Sequence, residues 1–349
     1  MRNIFKTSLA AIFVMATCML AFTSCSDDDD DNGGAPSGNG SAMVTEAKVL
    51  LDYISHKEDN YGEEVMFKYK YDEQLRPYFC TELDDYDDIF YIDYKAGKID
   101  FWDEYEGLSI SFNSKGYITK ISGSWNYKDD EEDYSSKGSL TYALNYDASG
   151  QLVTVDMSEN GTEVEGGYID NYKTITKGTF TWKDGNLMKY ESTTTYSGDY
   201  NGTDKGVLSF TYGNQTNKYR QQPGFMCDDD MGFTGAGLLG VGSKMLPETI
   251  TVYDSYEEDG YEHESEYGYT GTFTLNDDGT IKEEKWVDSE TGRTDCQYVF
   301  HYIPVSAASS AKANVAPAPL TRSSARSKIE RIRKALGVGL FMPHRKSNR

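Results

Sequence analysis

Leu140-Thr141-Tyr142-Ala143-Leu144-Asn145-Tyr146-Asp147-Ala148-Ser149-Gly150-Gln151-Leu152 decides the fold class of this chain. Leu140, Tyr142, Leu144 and Tyr146 alternate with Thr141, Ala143 and Asn145, the period of two that sends successive side chains to opposite faces of a strand. Four residues after Tyr146 comes Gly150, and an apolar residue resumes at Leu152. Short hairpin loops place one residue at positive φ, which glycine adopts without steric cost, so the segment reads as strand, turn and returning strand.

The same chemistry recurs along the chain. The turn is spelled again as Tyr94…Gly97-Lys98-Ile99, Phe112…Gly116-Tyr117-Ile118, Trp182…Gly185-Asn186-Leu187 and Leu275…Gly279-Thr280-Ile281. Alternation reappears at Phe67-Tyr69-Tyr71, Leu108-Ile110-Phe112, Leu208-Phe210-Tyr212, Ile250-Val252, Phe273-Leu275 and Tyr298-Phe300-Tyr302. These units predict an all-β protein, a large antiparallel meander of about 12 to 16 strands that curls into a strongly curved sheet or incomplete barrel. A transmembrane barrel is the weaker reading, because its lipid-facing band of about 25 Å must be apolar and these strands carry Lys, Glu and Asp freely. One short helix is expected at the start, where Val44, Ala47, Leu50, Leu51 and Ile54 recur at i, i+3, i+4 spacing.

Outside the strands the chain changes character. Residues 1–24 have the order of a secretory signal, with Arg2 and Lys6 ahead of an uncharged stretch. The stretch ends at Phe22-Thr23-Ser24-Cys25, which resembles the lipobox of bacterial lipoproteins and marks Cys25 for lipidation. Ser26, Asp27, Asp28 and Asp29 follow, similar to the signal that exports Bacteroidetes lipoproteins to the outer face of the outer membrane. Residues 25–42 read as a lipidated acidic and Gly/Ser tether, 43–303 as the β domain, and 304–349 as a disordered basic tail. Within that tail Ser327 to Leu340 can form an amphipathic helix with Ile329, Ile332 and Leu336 on one face.

The lipobox, the acidic start, the repeated hairpins and Gly242-Ser243-Lys244-Met245-Leu246-Pro247-Glu248-Thr249-Ile250 together resemble an uncharacterised surface lipoprotein family of the Bacteroidales, described as having a porin-like fold. The resemblance covers about residues 43–303. It implies an antiparallel β architecture and no activity.

Charge narrows the function classes. The chain holds 34 Lys and Arg against 57 Asp and Glu, a formal net charge of −23. Ten of the cations fall after Pro304, so the β domain is more acidic still. Such a body argues against nucleic acid, whose phosphates need the opposite sign. Gly235-Ala236-Gly237-Leu238-Leu239-Gly240 spells a dinucleotide fingerprint, but that motif works between a strand and a helix, and Asp228-Asp229-Asp230 upstream would repel a phosphate. A glycine-rich loop crossing the sheet is expected there, with no nucleotide and no cofactor.

Acidic runs at Asp84-Asp85-Tyr86-Asp87-Asp88, Asp129 to Asp133 and Asp277-Asp278 lack the spacing of a calcium loop. The four histidines, His56, His263, His301 and His344, have no metal spacing, so no metal is expected. Cys80, Cys227 and Cys296 leave open one disulfide plus a thiol or three unpaired buried cysteines.

Tyrosine is the unusual residue, at 28 with 15 Phe and 4 Trp. Tyr86, Tyr91, Tyr94, Trp102, Tyr105, Trp125 and Tyr127 stand close together in sequence between carboxylates, and such rings can stack on sugars. They are the candidate ligand-stacking aromatics, set against the plainer reading that tyrosine favours strands. The expected function is a non-catalytic cell-envelope lipoprotein, surface-exposed at the outer membrane, that binds an external glycan or an envelope or host protein. A hydrolase using two carboxylates and a structural envelope component are the alternatives.

Overall fold

In the computed structural model the described residues are 48–58, 62–83, 87–101, 108–129, 134–198, 201–222, 235, 237–258 and 261–308. The expected signal, Cys25, Ser26, Asp27, Asp28, Asp29, the tether and the tail beyond residue 308 lie outside them, as do Tyr86, Trp102, Tyr105 and Cys227.

Sixteen antiparallel strands make up the described chain. The first eight are β1 (Val49–Glu58), β2 (Gly62–Tyr71), β3 (Pro77–Leu83), β4 (Asp87–Asp93), β5 (Lys98–Phe101), β6 (Leu108–Phe112), β7 (Ile118–Asp129) and β8 (Tyr134–Tyr146). The rest are β9 (Leu152–Glu165), β10 (Tyr168–Lys183), β11 (Asn186–Gly198), β12 (Gly202–Thr216), β13 (Met245–Glu258), β14 (Tyr261–Leu275), β15 (Ile281–Asp288) and β16 (Thr294–Pro304). Each pairs with its sequence neighbours, and β16 pairs back onto β1 from Val49↔Pro304 to His56↔Tyr298, so the sheet closes into a barrel. Its weakest seam joins β5 to β6 through two rungs, Lys98↔Ser109 and Ile99↔Leu108.

All five anticipated turn glycines take positive φ: Gly97 at 63°, Gly116 at 82°, Gly150 at 87°, Gly185 at 84° and Gly279 at 93°. Asparagine or aspartate opens several of these turns and folds back on them. The Asn113 Oδ1 accepts from the amides of Lys115 and Tyr117, and the Asp147 Oδ1 from that of Gln151.

The expected helix is corrected. Leu50, Leu51 and Ile54 belong to β1, while Val44 and Ala47 lie outside the described residues. A bulge between Leu51 and Tyr53 shifts the register against β16. It brings Leu51 and Ile54, three apart, to the same interior face, and that spacing imitates a helix. Leu50 points the other way, beneath Tyr71, Leu75, Ile303 and Val305. One helical turn, Val305–Ala308, follows β16.

Which face is buried follows from the clusters. Ile54, Phe67, Ile99, Ile121, Leu144, Val155, Leu208, Val252, Trp286 and Phe300 pack into one apolar core reached by strands all round the barrel, so that core fills the interior. The opposite face of the same strands presents Thr141, Asn145, Asp156, Lys177, Thr179 and Thr193 to solvent. Among the described residues the exposed large hydrophobics are Tyr168 and Ile169. Among the described residues these strands therefore turn their apolar side chains inward and their polar ones outward.

Candidate functional site

An even number of strands in a meander puts the start of β1 and the end of β16 at the same end, here termed the near end. The glycine turns lie there too. The long connection from β12 to β13 also crosses it. Leu238 and Leu239 enter the core. The Leu238 carbonyl accepts from the Ile118 amide, the Val241 amide donates to the Gly150 carbonyl and the Lys244 amide to that of Gly185. Tyr219 donates to the Asp278 carbonyl, and Gln221 bridges the Ile281 amide and the Tyr302 hydroxyl. The described parts of this connection thus form a cap tied to strands on several sides of the barrel, and Leu238 and Leu239 of the dinucleotide-like stretch are packing residues within it.

The far end differs in composition. The segments that carry the chain around it, 56–64, 82–88, 101–108, 127–136, 162–171, 196–204, 256–264 and 287–295, contain 30 Asp and Glu against 3 Lys and Arg. Those turning at the near end, 71–77, 93–98, 112–118, 146–152, 182–187, 215–246 and 275–281, contain 10 against 8.

Between the two ends the interior grades from apolar to polar. On β8, β9 and β10 the register aligns inward-facing rows. Nearest the far end stand Tyr134, Glu165 and Tyr168, then Ser136, Glu163 and Asp170, then Gly138, Gly161 and Tyr172, then Leu140, Glu159 and Thr174. Glu165 and Tyr168 are exposed, Tyr172 and Thr174 half-buried, and Glu159 and Thr176 buried. Exposure thus rises toward the far end on β9 and β10, while Tyr134 and Ser136 on β8 stay buried, so the interior opens there as a bowl along those two strands, with its floor near the Thr176–Thr194 hydroxyl pair at 2.9 Å.

Glycine shapes the bowl's wall. Trp125 lies across its cross-strand partner Gly138, and Tyr172 across its partner Gly161. A Cβ added at Gly138 would meet the Trp125 ring at 2.4 Å, and one at Gly161 the Tyr172 ring at 2.7 Å. The rings are therefore laid flat on bare backbone, and Trp125 Nε1 donates to the Ser136 Oγ at 2.9 Å.

Three strands round from β10, Asp254 follows the core residue Val252 on the inward face of β13, with Asp204 on β12 nearby. The Tyr267 hydroxyl donates to the Asp254 Oδ2 at 3.2 Å. Burial raises the Asp254 carboxyl to about 6, helped by the negative charge of Asp204 and opposed by the Tyr267 hydrogen bond. Burial likewise raises Tyr267, and Asp254 adds to it.

The structure separates the sequence-predicted aromatics. Tyr91 falls on the outward face of β4, 6.5 Å from Tyr78 between ring centroids. Tyr94 belongs to the near end, where its hydroxyl donates to the Pro77 carbonyl and Arg76 lies 4.1 Å over its ring. Trp125 lies inside the bowl, and the side chain of Tyr127 is outside the described residues. Tyr91 is therefore turned away from Tyr94 and Trp125, which pack on the same interior core toward different ends of the barrel.

One grouping with chemical potential was not legible in the sequence. At the closing seam the His301 Nε2 lies 3.2 Å from the Glu63 Oε2 and 3.5 Å from the Ser55 Oγ. A serine nucleophile needs its carboxylate on the other ring nitrogen, with Nε2 left for the hydroxyl. Here both contacts use Nε2, and Ser55 is 0 % exposed. The trio stitches β1 to β2 and β16, with Tyr53 stacked on His301 at 4.0 Å.

Comparison with known proteins returns fold neighbours. No family model matches the chain, and no curated protein does. Among solved structures it is similar to a porin-like protein from Bacteroides vulgatus, at 14 % identity and a TM-score of 0.44, over 73 % of this chain and 99 % of that one. A porin-like protein from Bacteroides uniformis is similar at 14 % identity and a TM-score of 0.43, over 72 % and 96 %. At such identity no ligand or activity passes from them to this chain.

Proposed function

We propose that this protein is a cell-envelope lipoprotein, anchored through Cys25 at the outer membrane and facing the exterior, whose barrel is a non-catalytic module for an external glycan. The observation that carries this reading is the far half of the interior, where rings laid on glycine alternate with carboxylates. Aromatic faces stack on the apolar faces of sugar rings, and carboxylates accept from their hydroxyls. A binding surface needs just such rigid, preorganised groups.

Topology supports the orientation. The tether would meet β1 at the near end, so the bowl opens away from the bilayer. Asn32 to Ser41, at roughly 5–6 Å times the square root of length, would hold the capped end within about 20 Å of the surface. The acidic far end is then kept away from anionic lipid.

A glycan array probed with the purified leaderless protein tests the binding half of this reading, and at least one glycan class is expected to bind. An array without a hit would remove it. Protease added to intact cells is expected to cleave the protein, and full protection would contradict the exterior placement.

A further inference from the structure

The outer wall carries a charge pattern opposite in sign to that of the far end. On the outward faces of β7 to β12, between the segments that turn at either end, Lys120, Lys137, Lys173, Lys177, Lys189 and Lys205 stand against Asp156 and Glu191. In a chain with 57 Asp and Glu against 34 Lys and Arg, this segregation runs against composition. Lys189 is tied to Glu191 at 2.7 Å. Each of the other five is exposed, and none makes an ion pair or a side-chain hydrogen bond with the described residues. Lysines often guard the edge of a sheet, but a closed barrel has no edge. Solubility does not call for them either, since a net charge of −23 already supplies it.

Register lines the lysines up. Lys120 pairs with Ala143, Ala143 with Asp156, Asp156 with Lys177, Lys177 with Thr193 and Thr193 with Lys205, one row crossing six strands. At about 4.7–4.9 Å between strands, Lys120 stands about 14 Å from Lys177, and Lys177 about 10 Å from Lys205. The next row toward the far end is Ser122, Thr141, Ser158, Ile175, Thr195 and Thr203, five hydroxyls around one apolar residue. Beyond it Lys173 and Lys137 add two more cations. The basic stretch stops at β14, where Ser255 on β13 pairs with Glu264. Lys120 is nine residues from Asp129 and Lys177 nine from Tyr168, about 30 Å along the strand. Carboxylates at the far turns are screened over that distance, because the Debye length is about 8 Å at physiological ionic strength.

We propose that the outer wall of β7 to β12 binds a linear acidic polysaccharide, with Lys120, Lys177 and Lys205 spaced along one row to meet its carboxylate or sulfate groups. The adjoining hydroxyl row hydrogen-bonds the sugar hydroxyls between those charges. A single flexible chain can follow the curve of the wall, whereas a flat bilayer would touch a convex barrel along one line. Single-stranded nucleic acid is disfavoured because the two rows carry no aromatic ring on which bases stack. The surface lies outside the barrel and stands apart from the bowl.

The test uses the full-length leaderless protein, titrated at 50 mM NaCl with polygalacturonate, with chondroitin sulfate and with neutral dextran. Binding of at least one of the two acidic polymers and none of dextran is expected. K120Q/K177Q/K205Q should weaken that binding at least about tenfold. K68Q/K95Q/K282Q removes three exposed lysines from other parts of the barrel and should change it less than twofold. T174W, a substitution inside the bowl, should leave it unchanged. Melting curves establish that each variant is folded.

Failure of the wild type to bind either acidic polymer would overturn the assignment. So would undiminished binding by K120Q/K177Q/K205Q, the result expected if the basic tail alone held the polymer. An equal loss in K68Q/K95Q/K282Q would reduce the effect to general charge and overturn it as well. Tighter binding of single-stranded DNA or of phosphatidylglycerol vesicles would replace the polysaccharide with another partner. Loss of binding in T174W would move the ligand into the bowl and overturn the outer site.

Discussion

The near end and the far end of the barrel are built from opposite materials. At the near end, turns close on glycines at positive φ, the cap threads Leu238 and Leu239 into the core, and opposite charges nearly balance. At the far end, carboxylates outnumber cations tenfold, the interior turns polar, and an aspartate holds an unmatched oxygen. Buried side chains serve both ends, Trp125 and Trp286 toward the far one, whereas the large excess of carboxylates is kept at the far end alone. This is the division expected when a scaffold carries a binding surface.

Substitutions at the two ends should therefore differ in size and sign. The largest effect belongs to the cap. Leu238→Asp places a charge at a position 2 % exposed and should cost at least about 4 kcal/mol, seen as a lower midpoint in chemical denaturation. Midway down the bowl, Gly161→Ala drives a methyl toward the Tyr172 ring and should cost about 1–3 kcal/mol by the same measurement. Glycan affinity should fall with it as the ring is displaced.

At Asp254 the sign reverses. The Asp254 carboxyl is raised from 3.8 to about 6, so the folded protein holds its proton more tightly than the unfolded chain. The stability this contributes is complete below the unfolded value and is lost as pH climbs toward 6. Asp254→Asn should remove that slope between pH 4 and 6. It should also stabilise the protein at neutral pH by about 1 kcal/mol, a figure discounted for the solvent that reaches this half-buried group. Melting temperatures across the pH range measure both.

The smallest effect belongs to the tip of the β9–β10 hairpin. Tyr168 is 66 % exposed, and Tyr168→Ser should change stability by no more than about 0.5 kcal/mol. A loss approaching that of Leu238→Asp would erase the contrast between the ends.

Much of the near end was legible in the sequence, because its turns are local. An apolar residue, a few polar ones and a glycine encode a hairpin within six residues, and strand alternation is a period-two signal anyone can count. Closure was not legible. It depends on β1 meeting β16 across some 250 residues, and no local pattern records that pairing. The bulge in β1 misled for the same reason, since Leu51 and Ile54 reach one face through a register shift set by a distant partner.

The site was harder still. Tyr91, Tyr94 and Trp125 are near in sequence yet fall on an outer face, in the near-end packing and inside the bowl. Residues that do share a row, such as Tyr134, Glu165 and Tyr168, come from separate strands and meet through register. One usable signal was present. Gly138, Gly161 and Gly271 interrupt strands where no turn is needed, and each marks a ring lying close on the backbone.

The most direct test fills the bowl and leaves the rest untouched. Thr174 is half-buried and inward-facing, between Glu159 and Tyr196 on the neighbouring strands. Thr174→Trp should keep the melting temperature near wild type and abolish binding of whichever glycan the array identifies. Undiminished binding by a folded Thr174→Trp variant would show that the ligand never enters the barrel.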